Sequence, residues 1–283
     1  MLTDSEFRVL LDRYQRSWKG YRKIRRTPMK RVSKHMKLLG CGSIQEYLDV
    51  LAEDLVEEKL LLSFLRITIS RFFRDRKLWI SLAETVFPAI LQRTNKLKVW
   101  SAGCSCGEEV YSLRIQHHMN WSDCSSIEIL ATDANNACLE RAQNGIYQKS
   151  SLRELDTNMI ATCFLPSVRR NEYVVRPSYR KNIVWKHHDF FSAPPDRGFH
   201  AILLRNNLLT YYSPPVQSAT LDKILRSLLP GGFLIIGSHE ALPDISFDLI
   251  PTACCMVYQL PSSPSPIDQV ELLPDSVISG TEY

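Results

Sequence analysis

The sequence predicts an α/β protein in which a small helical domain precedes a larger domain built on a mostly parallel sheet. Two observations predict this fold class. The first seventy residues carry apolar side chains at helical spacing and give no clear strand signal, whereas from about Lys96 short apolar runs alternate with helical segments. Strands are predicted at 97–102, 127–132, 183–188, 199–204, 233–237 and 254–260, and helices near 107–119, 135–144 and 214–228.

Capping signals support the helical assignment of the first part. Thr3 and Ser43 are each followed three residues later by a glutamate, Glu6 and Glu46, as in a capping box. Apolar residues then recur at helical spacing through 47–51 and 55–65. We interpret residues 1–69 as a helical domain.

The first two predicted strands are joined by a glycine-containing turn and a helix. Gly103 and Gly107 follow the first strand, and the second strand ends at Asp133, thirty positions after Gly103. This pattern is typical of a nucleotide-type pocket, where glycines let the protein backbone approach the ligand and a carboxylate accepts hydrogen bonds from ribose hydroxyls. Glu108 and Glu109 at the helix start would repel a pyrophosphate and favour a cationic ligand such as S-adenosylmethionine. A tight turn before an acidic helix, common in α/β domains, explains the same residues equally well.

The later part of the chain carries further boundaries. Pro230-Gly231-Gly232 is expected to be a turn that stops a helix and starts a strand. The Arg-rich segment 151–182 is interpreted as an insertion that could form small antiparallel strands. A second domain would then span 70–262, and the acidic segment 263–283 is expected to be disordered.

Composition narrows the class of protein. The chain has 283 residues, 45% of them hydrophobic, which is enough for a full core, and no apolar run reaches transmembrane length. The N-terminus lacks the plan of a secretory signal, so we expect a cytoplasmic protein without membrane insertion. The eight cysteines are scattered and are interpreted as reduced thiols, and their spacing favours no metal site.

The net charge of +5 is unevenly distributed. Residues 13–37 contain eleven Lys or Arg and no acid, whereas residues 227–283 contain seven Asp or Glu and no Lys or Arg. A block of this kind indicates an acidic partner, which could be a protein helix, a nucleic acid or a membrane surface, although a solvated helix face is the alternative. Only Tyr14, Trp18 and Tyr21 could stack bases in this block, so nucleic acid is the less favoured partner.

Four sequence blocks together resemble the CheR-type protein-glutamate methyltransferases that modify chemotaxis receptors, and the resemblance spans roughly residues 5 to 260. A fifth block, Pro230 to Leu242, resembles the penultimate strand of that family with its Gly-x-x-Glu ending. The four blocks are Ile67-Thr-Ile-Ser-Arg-Phe-Phe-Arg-Asp75, Val99-Trp-Ser-Ala-Gly-Cys-Ser-Cys-Gly-Glu-Glu-Val-Tyr111, Leu130-Ala-Thr-Asp-Ala-Asn135 and Arg205-Asn-Asn-Leu-Leu-Thr-Tyr-Tyr212.

The resemblance implies a class I, Rossmann-like methyltransferase that uses S-adenosylmethionine, releases S-adenosylhomocysteine and needs no metal. It implies that Arg74 and Tyr211 are the catalytic residues beside the acceptor. Within the cofactor pocket, Glu109 would take the methionine ammonium and Asp133 the ribose. The complete implied cofactor-binding set is Thr68, Ser70, Arg74, Ala102, Gly103, Glu109, Asp133, Ala134, Asp189, Phe190, Arg205 and Asn206.

The sequence also departs from the family pattern. Cys106 replaces a threonine, Val110 a proline and Leu204 a cysteine, and the run after Asn206 is one residue longer than in the best-known members, which leaves Asn206 and Asn207 as alternatives. These departures affect the acceptor side more than the cofactor side. The favoured interpretation is a monomeric enzyme that esterifies a protein carboxylate and binds an acidic protein substrate on the segment Arg13 to Lys37. The alternatives are the same chemistry on a small acid or a nucleic acid, and a non-catalytic S-adenosylmethionine-binding regulatory module.

Overall fold

The computed structural model describes residues 2–262, and the predicted tail at 263–283 lies outside them. The chain up to residue 91 is helical, and a π-helical turn at Leu82–Val86 joins its last two helices. The division of the chain after residue 69 stays a prediction. The helices are α1 (Asp4–Arg13), α2 (Trp18–Tyr21), α3 (Arg26–Leu38), α4 (Ile44–Glu53), α5 (Leu55–Phe64), α6 (Arg76–Ser81) and α7 (Phe87–Leu91).

The two capping signals behave differently. Thr3 and Glu6 form the complete reciprocal capping box at the start of α1. At α4 the Ser43 hydroxyl accepts from the Glu46 backbone N–H at 3.2 Å, but the Glu46 carboxylate accepts from the N–H of Gly42 at 2.8 Å, one residue further back. Both arrangements satisfy N–H groups that a helix start leaves without partners.

The main sheet has seven strands, which are β1 (Lys96–Ala102), β2 (Ser126–Asp133), β6 (Ile183–His187), β7 (Phe199–Leu203), β8 (Leu228–Ile235), β9 (Ile250–Pro251) and β10 (Val257–Gln259). Their order in the sheet is β6-β2-β1-β7-β8-β10-β9. The five strands from β6 to β8 are parallel, and β10 and β9 are antiparallel to their neighbours. The expected α/β class with a mostly parallel sheet is confirmed.

A second, three-stranded antiparallel sheet forms between β2 and β6 in the chain, in the order β3-β5-β4. It consists of β3 (Ile146–Gln148), β4 (Phe164–Pro166) and β5 (Glu172–Val175). Its first strand therefore lies ahead of the predicted insertion. The helices of this half of the chain are α8 (Glu108–Trp121), α9 (Asn136–Asn144), α10 (Thr157–Cys163), α11 (Leu208–Tyr211) and α12 (Pro214–Leu225), with 3₁₀ turns at Lys149–Leu152 and Pro177–Arg180.

The Pro-Gly-Gly segment is not the boundary between helix and strand. Helix α12 ends at Leu225, and β8 already begins at Leu228, so the segment lies inside the strand as an irregularity where the pairing with β7 shifts register. Gly231 has a φ of +73°, and a Cβ there would collide with the Arg93 guanidinium, which donates to the Gly231 carbonyl at 3.0 Å. The prediction of a helix-ending turn was wrong because it used only local residue types. The contact between Arg93 and Gly231 joins residues 138 positions apart, which local residue types do not indicate.

Candidate functional site

A cavity of about 480 Å³ lies between the carboxyl ends of the parallel strands and the helical first part of the chain. Ligands of open α/β sheets bind at this edge, where neighbouring strand connections diverge. Among the predicted site residues, only Ala102 does not line it. Those that line it are Thr68, Ser70, Arg74, Gly103, Glu109, Asp133, Ala134, Asp189, Phe190, Arg205, Asn206 and Tyr211.

The glycine turn after β1 brings the backbone to the cavity wall. Gly103 has a φ of +78°, and a Cβ there would collide with the Asn207 side-chain amide. That amide donates to the carbonyl of Ala102 at 2.7 Å, so Ala102 supports the turn from behind and is 2% exposed. The N–H groups of Gly103 and Cys104 both donate to the Thr132 carbonyl at 2.8 Å, which ties the turn to β2.

A buried charge network forms one end of the cavity. The Glu109 carboxylate accepts from the Ser101 hydroxyl at 2.8 Å and from Arg205 Nη1 at 2.9 Å. Arg205 Nη2 donates to Asp75 Oδ2 at 2.7 Å and to the Arg74 carbonyl at 3.2 Å, and its side chain is 3% exposed. Arg74, whose Nε lies 4.0 Å from Asp75 Oδ2, also belongs to this network, so the two carboxylates and the two guanidinium groups balance. Because Arg205 is shared between Glu109 and Asp75, the Glu109 carboxylate is only partly neutralised by it and can still pair with a ligand cation.

Asp133 at the end of β2 is fixed by two backbone donors. Its Oδ2 accepts from the Ser105 N–H at 2.9 Å, and its Oδ1 accepts from the Asn135 N–H at 2.8 Å. Burial raises the pKa of this carboxyl, and the two backbone bonds act in the opposite direction. Each oxygen retains a free acceptor position, which suits a pair of ribose hydroxyls. The carbonyl of the next residue, Ala134, accepts from Arg66 Nη1 at 3.0 Å.

Aromatic rings form the wall beyond Asp133. The ring of Phe190 lies 4.8 Å from Phe191 and 5.9 Å from Tyr212 in edge-on geometry. The Asp189 carboxylate accepts from the Phe191 N–H at 3.0 Å, which fixes the turn that carries these rings. A flat, apolar surface beside a carboxylate can hold an adenine ring and accept from its amino group.

The segment 67–74 crosses the cavity and is held by one buried ring. Phe72 is fully buried, with its ring 4.8 Å from Tyr147 and 5.1 Å from Phe164. The backbone N–H of Phe73 donates to the Ser112 hydroxyl at 2.9 Å. This anchoring leaves Thr68, Ser70 and Arg74 on the cavity side of the segment.

Tyr211 sits on the last turn of α11 between the two halves of the chain. Its ring lies 5.1 Å from that of Tyr21, and its carbonyl accepts from the Ser17 N–H at 2.9 Å. Burial raises the pKa of Tyr211, whereas the nearby Arg74 charge acts in the opposite direction. The hydroxyl therefore stays protonated at neutral pH and can donate a hydrogen bond.

The two adjacent asparagines have different roles in this loop. Asn207 caps α11 and donates to Ala102, so its side chain serves the turn after β1. Asn206 has a φ of +54°, and its N–H donates to Glu240 Oε2 at 3.0 Å. Both asparagines line the cavity.

Sequence reasoning missed several cavity residues of the first part of the chain, among them Arg16, and also its partner Tyr212. The Arg16 guanidinium lies 3.8 Å from the centre of the Tyr212 ring, and Arg16 and Tyr212 also form an isolated antiparallel bridge. The two residues are 196 positions apart, and no local pattern could have paired them. Glu240 was also missed as a contributor to the site, although it ends the Gly-x-x-Glu block that the sequence singled out.

Two other kinds of feature are absent from the described residues. No group of three or more His, Cys, Asp or Glu within residues 2–262 is arranged to hold a metal ion. Across the same residues, no helix has the length and apolar character needed to cross a membrane. All eight cysteines lie in this part of the chain and are free thiols.

The fold and the site define a class I S-adenosylmethionine-dependent methyltransferase. Residues 68–254 match the family model described as the CheR methyltransferase, SAM binding domain. The chain belongs to the CheR methyltransferase family, and S-adenosylmethionine is its methyl donor.

Relatives extend this likeness to most of the chain. A chemotaxis protein methyltransferase of Listeria monocytogenes is 35% identical over 198 residues, which is 70% of this chain and 74% of the relative. Its counterpart in Listeria innocua is 36% identical over 182 residues, covering 64% and 68% of the two chains. A Pseudomonas putida protein described as methyltransferase Cher3 is 31% identical over 254 residues, covering 85% of this chain and 90% of its own.

Proposed function

We propose that this methyltransferase esterifies a carboxylate of a protein, most specifically a glutamate side chain of a chemotaxis receptor. The observation that carries the proposal is the separation of charge across the cavity. On the sheet side, Glu109 lies in the first turn of α8, Asp133 at the end of β2 and Asp189 after β6, and Arg205 is the arginine of this side. The facing segments bring only arginines among their charged cavity residues. One side therefore suits a cationic donor that carries hydroxyls, and the other suits an anionic acceptor.

The arginines that face the sheet are Arg16, Arg66, Arg71 and Arg74. Within the described residues, Arg16 Nε has no hydrogen-bond partner, and Arg74 Nε is 4.0 Å from Asp75. These groups are only partly neutralised by the protein itself. A ligand carboxylate would supply the missing negative charge.

The proposed roles follow from these positions. Glu109, held by Ser101 and Arg205, binds the methionine ammonium, and Asp133 binds the ribose. Asp189 and Phe190 hold the adenine. Thr68, Ser70, Gly103, Ala134 and Asn206 complete the wall around the donor, and Ala102 supports it from behind.

S-adenosylmethionine supplies, when bound, a methyl group on a positively charged sulfur. A glutamate carboxylate is already ionised at neutral pH, so the enzyme needs no strong general base. The carboxylate oxygen forms the new bond to the methyl carbon, and the electrons of the broken bond neutralise the sulfur. Arg74 and the Tyr211 hydroxyl orient the carboxylate.

The basic segment offers a surface for an acidic protein substrate. Arg26, Lys30, Lys34 and Lys37 are exposed and recur at spacings of four, four and three residues along α3, so they form one stripe. The two Listeria relatives are described as chemotaxis protein methyltransferases, which supports a protein acceptor. We expect a charge stripe of this kind to accelerate docking of an acidic helix and to lose effect at high salt.

Calorimetric titration of S-adenosylmethionine and S-adenosylhomocysteine tests the cofactor side. Asp133→Ala should abolish measurable binding, and the matched control Asp123→Ala, at an exposed acid, should bind normally. Absence of binding by the intact protein would overturn the assignment of the pocket.

Transfer of labelled methyl to cytoplasmic fragments of bacterial chemoreceptors tests the acceptor side. A carboxyl methyl ester releases its label as volatile methanol in alkali, whereas methylated amines do not. Label that stays on the protein in alkali would contradict carboxylate esterification.

A further inference from the structure

The loop that carries the proposed catalytic tyrosine has an unusual backbone. Asn206 has a φ of +54°, and Asn207 has φ −134° and ψ −91°, so two successive residues lie outside the ordinary helix and strand regions. Between them and Tyr211 lies less than one further helical turn. A loop with this backbone keeps one shape only where surrounding contacts hold it.

One side chain outside the cavity supplies such contacts. Glu240 Oε2 accepts from the N–H of Asn206 at 3.0 Å, and Glu240 Oε1 accepts from the Thr210 hydroxyl at 2.5 Å. The same carboxylate therefore joins the first residue of the loop to the residue next to Tyr211. The Tyr211 hydroxyl also lies within range of the Glu240 and Arg74 charges, which act on its pKa in opposite directions.

The turn that presents Glu240 is itself closely fitted. Glu240 Oε2 accepts from the Gly237 N–H at 2.6 Å, and the Glu240 N–H donates to the Gly237 carbonyl at 3.1 Å. A Cβ at position 237 would lie 2.7 Å from Glu240 Oε2 and 2.9 Å from Asn206 Oδ1. Only glycine allows the carboxylate and the loop to approach this closely.

We propose that Glu240 is a positioning residue that sets the place of Tyr211 relative to Arg74 and the methyl donor, acting through Thr210 and Asn206. Glu240 does not itself line the cavity. The longer run between Asn206 and Tyr211 contains Thr210, so the hydroxyl of this residue gives the loop a second attachment to the carboxylate. This inference rests on the proposed function, in which Tyr211 orients the acceptor.

The test compares variants that remove the hydrogen bonds of Glu240 with conservative variants that keep them. Glu240→Ala removes every acceptor, whereas Glu240→Gln keeps one oxygen for the two backbone N–H groups and turns an amide toward Thr210, whose hydroxyl can then accept. Thr210→Val removes the hydroxyl in the same shape, and Thr210→Ser restores it. Thr220→Val, at a buried threonine of α12, is the matched control.

Two readouts separate positioning from general damage. With chemoreceptor fragments as acceptor, kcat of Glu240→Ala and Thr210→Val should fall by about tenfold or more, because a displaced catalytic group loses reactive geometry. The Kd for S-adenosylmethionine should stay within about twofold, and the glutamine and serine variants should recover to within about threefold of the parent kcat. A parallel loss of cofactor affinity, or equal kcat in Thr210→Val and Thr220→Val, would overturn the proposal.

Amide hydrogen exchange tests whether Glu240 holds this loop in place, and the measurement needs no methyl acceptor. In Glu240→Ala, amides of residues 206–212 should exchange about fivefold to tenfold faster, while those of β1 and β2 stay unchanged. Unchanged exchange in 206–212 would refute Glu240 as the holder of this loop. Failure of methyl transfer by the parent protein would instead count against the proposed function, and the exchange result would still stand on its own.

Discussion

Glu109→Gln is the sharpest perturbation of the cofactor pocket, because the substitution changes charge with little change in shape. The Glu109 carboxylate accepts from Arg205 at 2.9 Å and from Ser101 at 2.8 Å, and Arg205 also pairs with Asp75 at 2.7 Å. The substitution removes one negative charge from this network. Glutamine can keep an oxygen toward one donor, but the site loses the negative charge that we propose pairs with the ligand ammonium.

The magnitude follows from the loss of a charge-assisted hydrogen bond. Such a bond contributes about 1.5–3 kcal/mol, which corresponds to a Kd weakened by about tenfold to more than a hundredfold. S-adenosylhomocysteine keeps the ammonium group, so its affinity should fall by a similar factor. Asp75→Asn leaves Glu109 in place, and therefore should cost more in folding stability than in cofactor affinity, because it removes one partner of a buried guanidinium.

Calorimetry with both ligands and thermal unfolding of each variant measure these effects. Glu128→Gln is the control, since Glu128 pairs with Lys96 on the surface. A Kd for S-adenosylmethionine that changes by less than about twofold in Glu109→Gln would refute the reasoning. Equal loss of affinity in Asp75→Asn would show that Glu109 acts only by keeping the network folded.

Three further outcomes are expected. Phe72→Ala should lower the free energy of unfolding by about 3–5 kcal/mol, measured by denaturant titration, because a fully buried ring is removed. Gly103→Ala should abolish S-adenosylmethionine binding in the same calorimetric assay, since the residue has a φ of +78° and its new methyl group would collide with the Asn207 amide; retained affinity would show that the turn yields. His117 is 2% exposed, and burial lowers its pKa to about 4 from 6.5, so the unfolded chain binds the proton more readily and stability falls as pH drops below about 6.5. Protonation of His117 in the unfolded chain should lower the free energy of unfolding by about 2 kcal/mol at pH 5. In His117→Gln the free energy of unfolding should therefore change less between pH 7 and pH 5, and substitution of a surface histidine would not produce this difference.

The sheet could be predicted from the sequence where strands are buried and short-range signals agree. The strands predicted at 97–102 and 127–132 are observed as Lys96–Ala102 and Ser126–Asp133, because short, mostly apolar segments are followed by a glycine and by an acid. The predicted strand at 254–260 is shorter, at Val257–Gln259. Cys254 instead begins a turn, in which its carbonyl accepts from the Val257 N–H. That turn depends on hydrogen bonds that residue types do not specify.

The site was predictable as a set of residues but not as a set of contacts. The family resemblance named Glu109, Arg205 and Arg74 separately. It gave no indication that Arg205 would bridge Glu109 and Asp75 and also hold the Arg74 carbonyl. These contacts join residues 96 to 131 positions apart, whose distance in space depends on the strand order.

The helical first part of the chain is a structural component of the cavity and more than a docking surface beside it. The Ser17 N–H donates to the Tyr211 carbonyl at 2.9 Å, and the Ser213 N–H donates to the Gln15 carbonyl at 2.9 Å. A Cβ at Gly20 would collide with the carbonyl of Thr210, so the backbones of the two parts lie in direct contact there. Because the same contacts fix the loop of the proposed catalytic tyrosine, an acidic protein that binds α3 acts on a unit continuous with the methyl-transfer site. Charge reversal along the exposed stripe of α3 should therefore alter acceptor binding without altering cofactor binding, since Glu109, Asp133 and Asp189, the carboxylates proposed to face the cofactor, lie on the sheet side of the cavity.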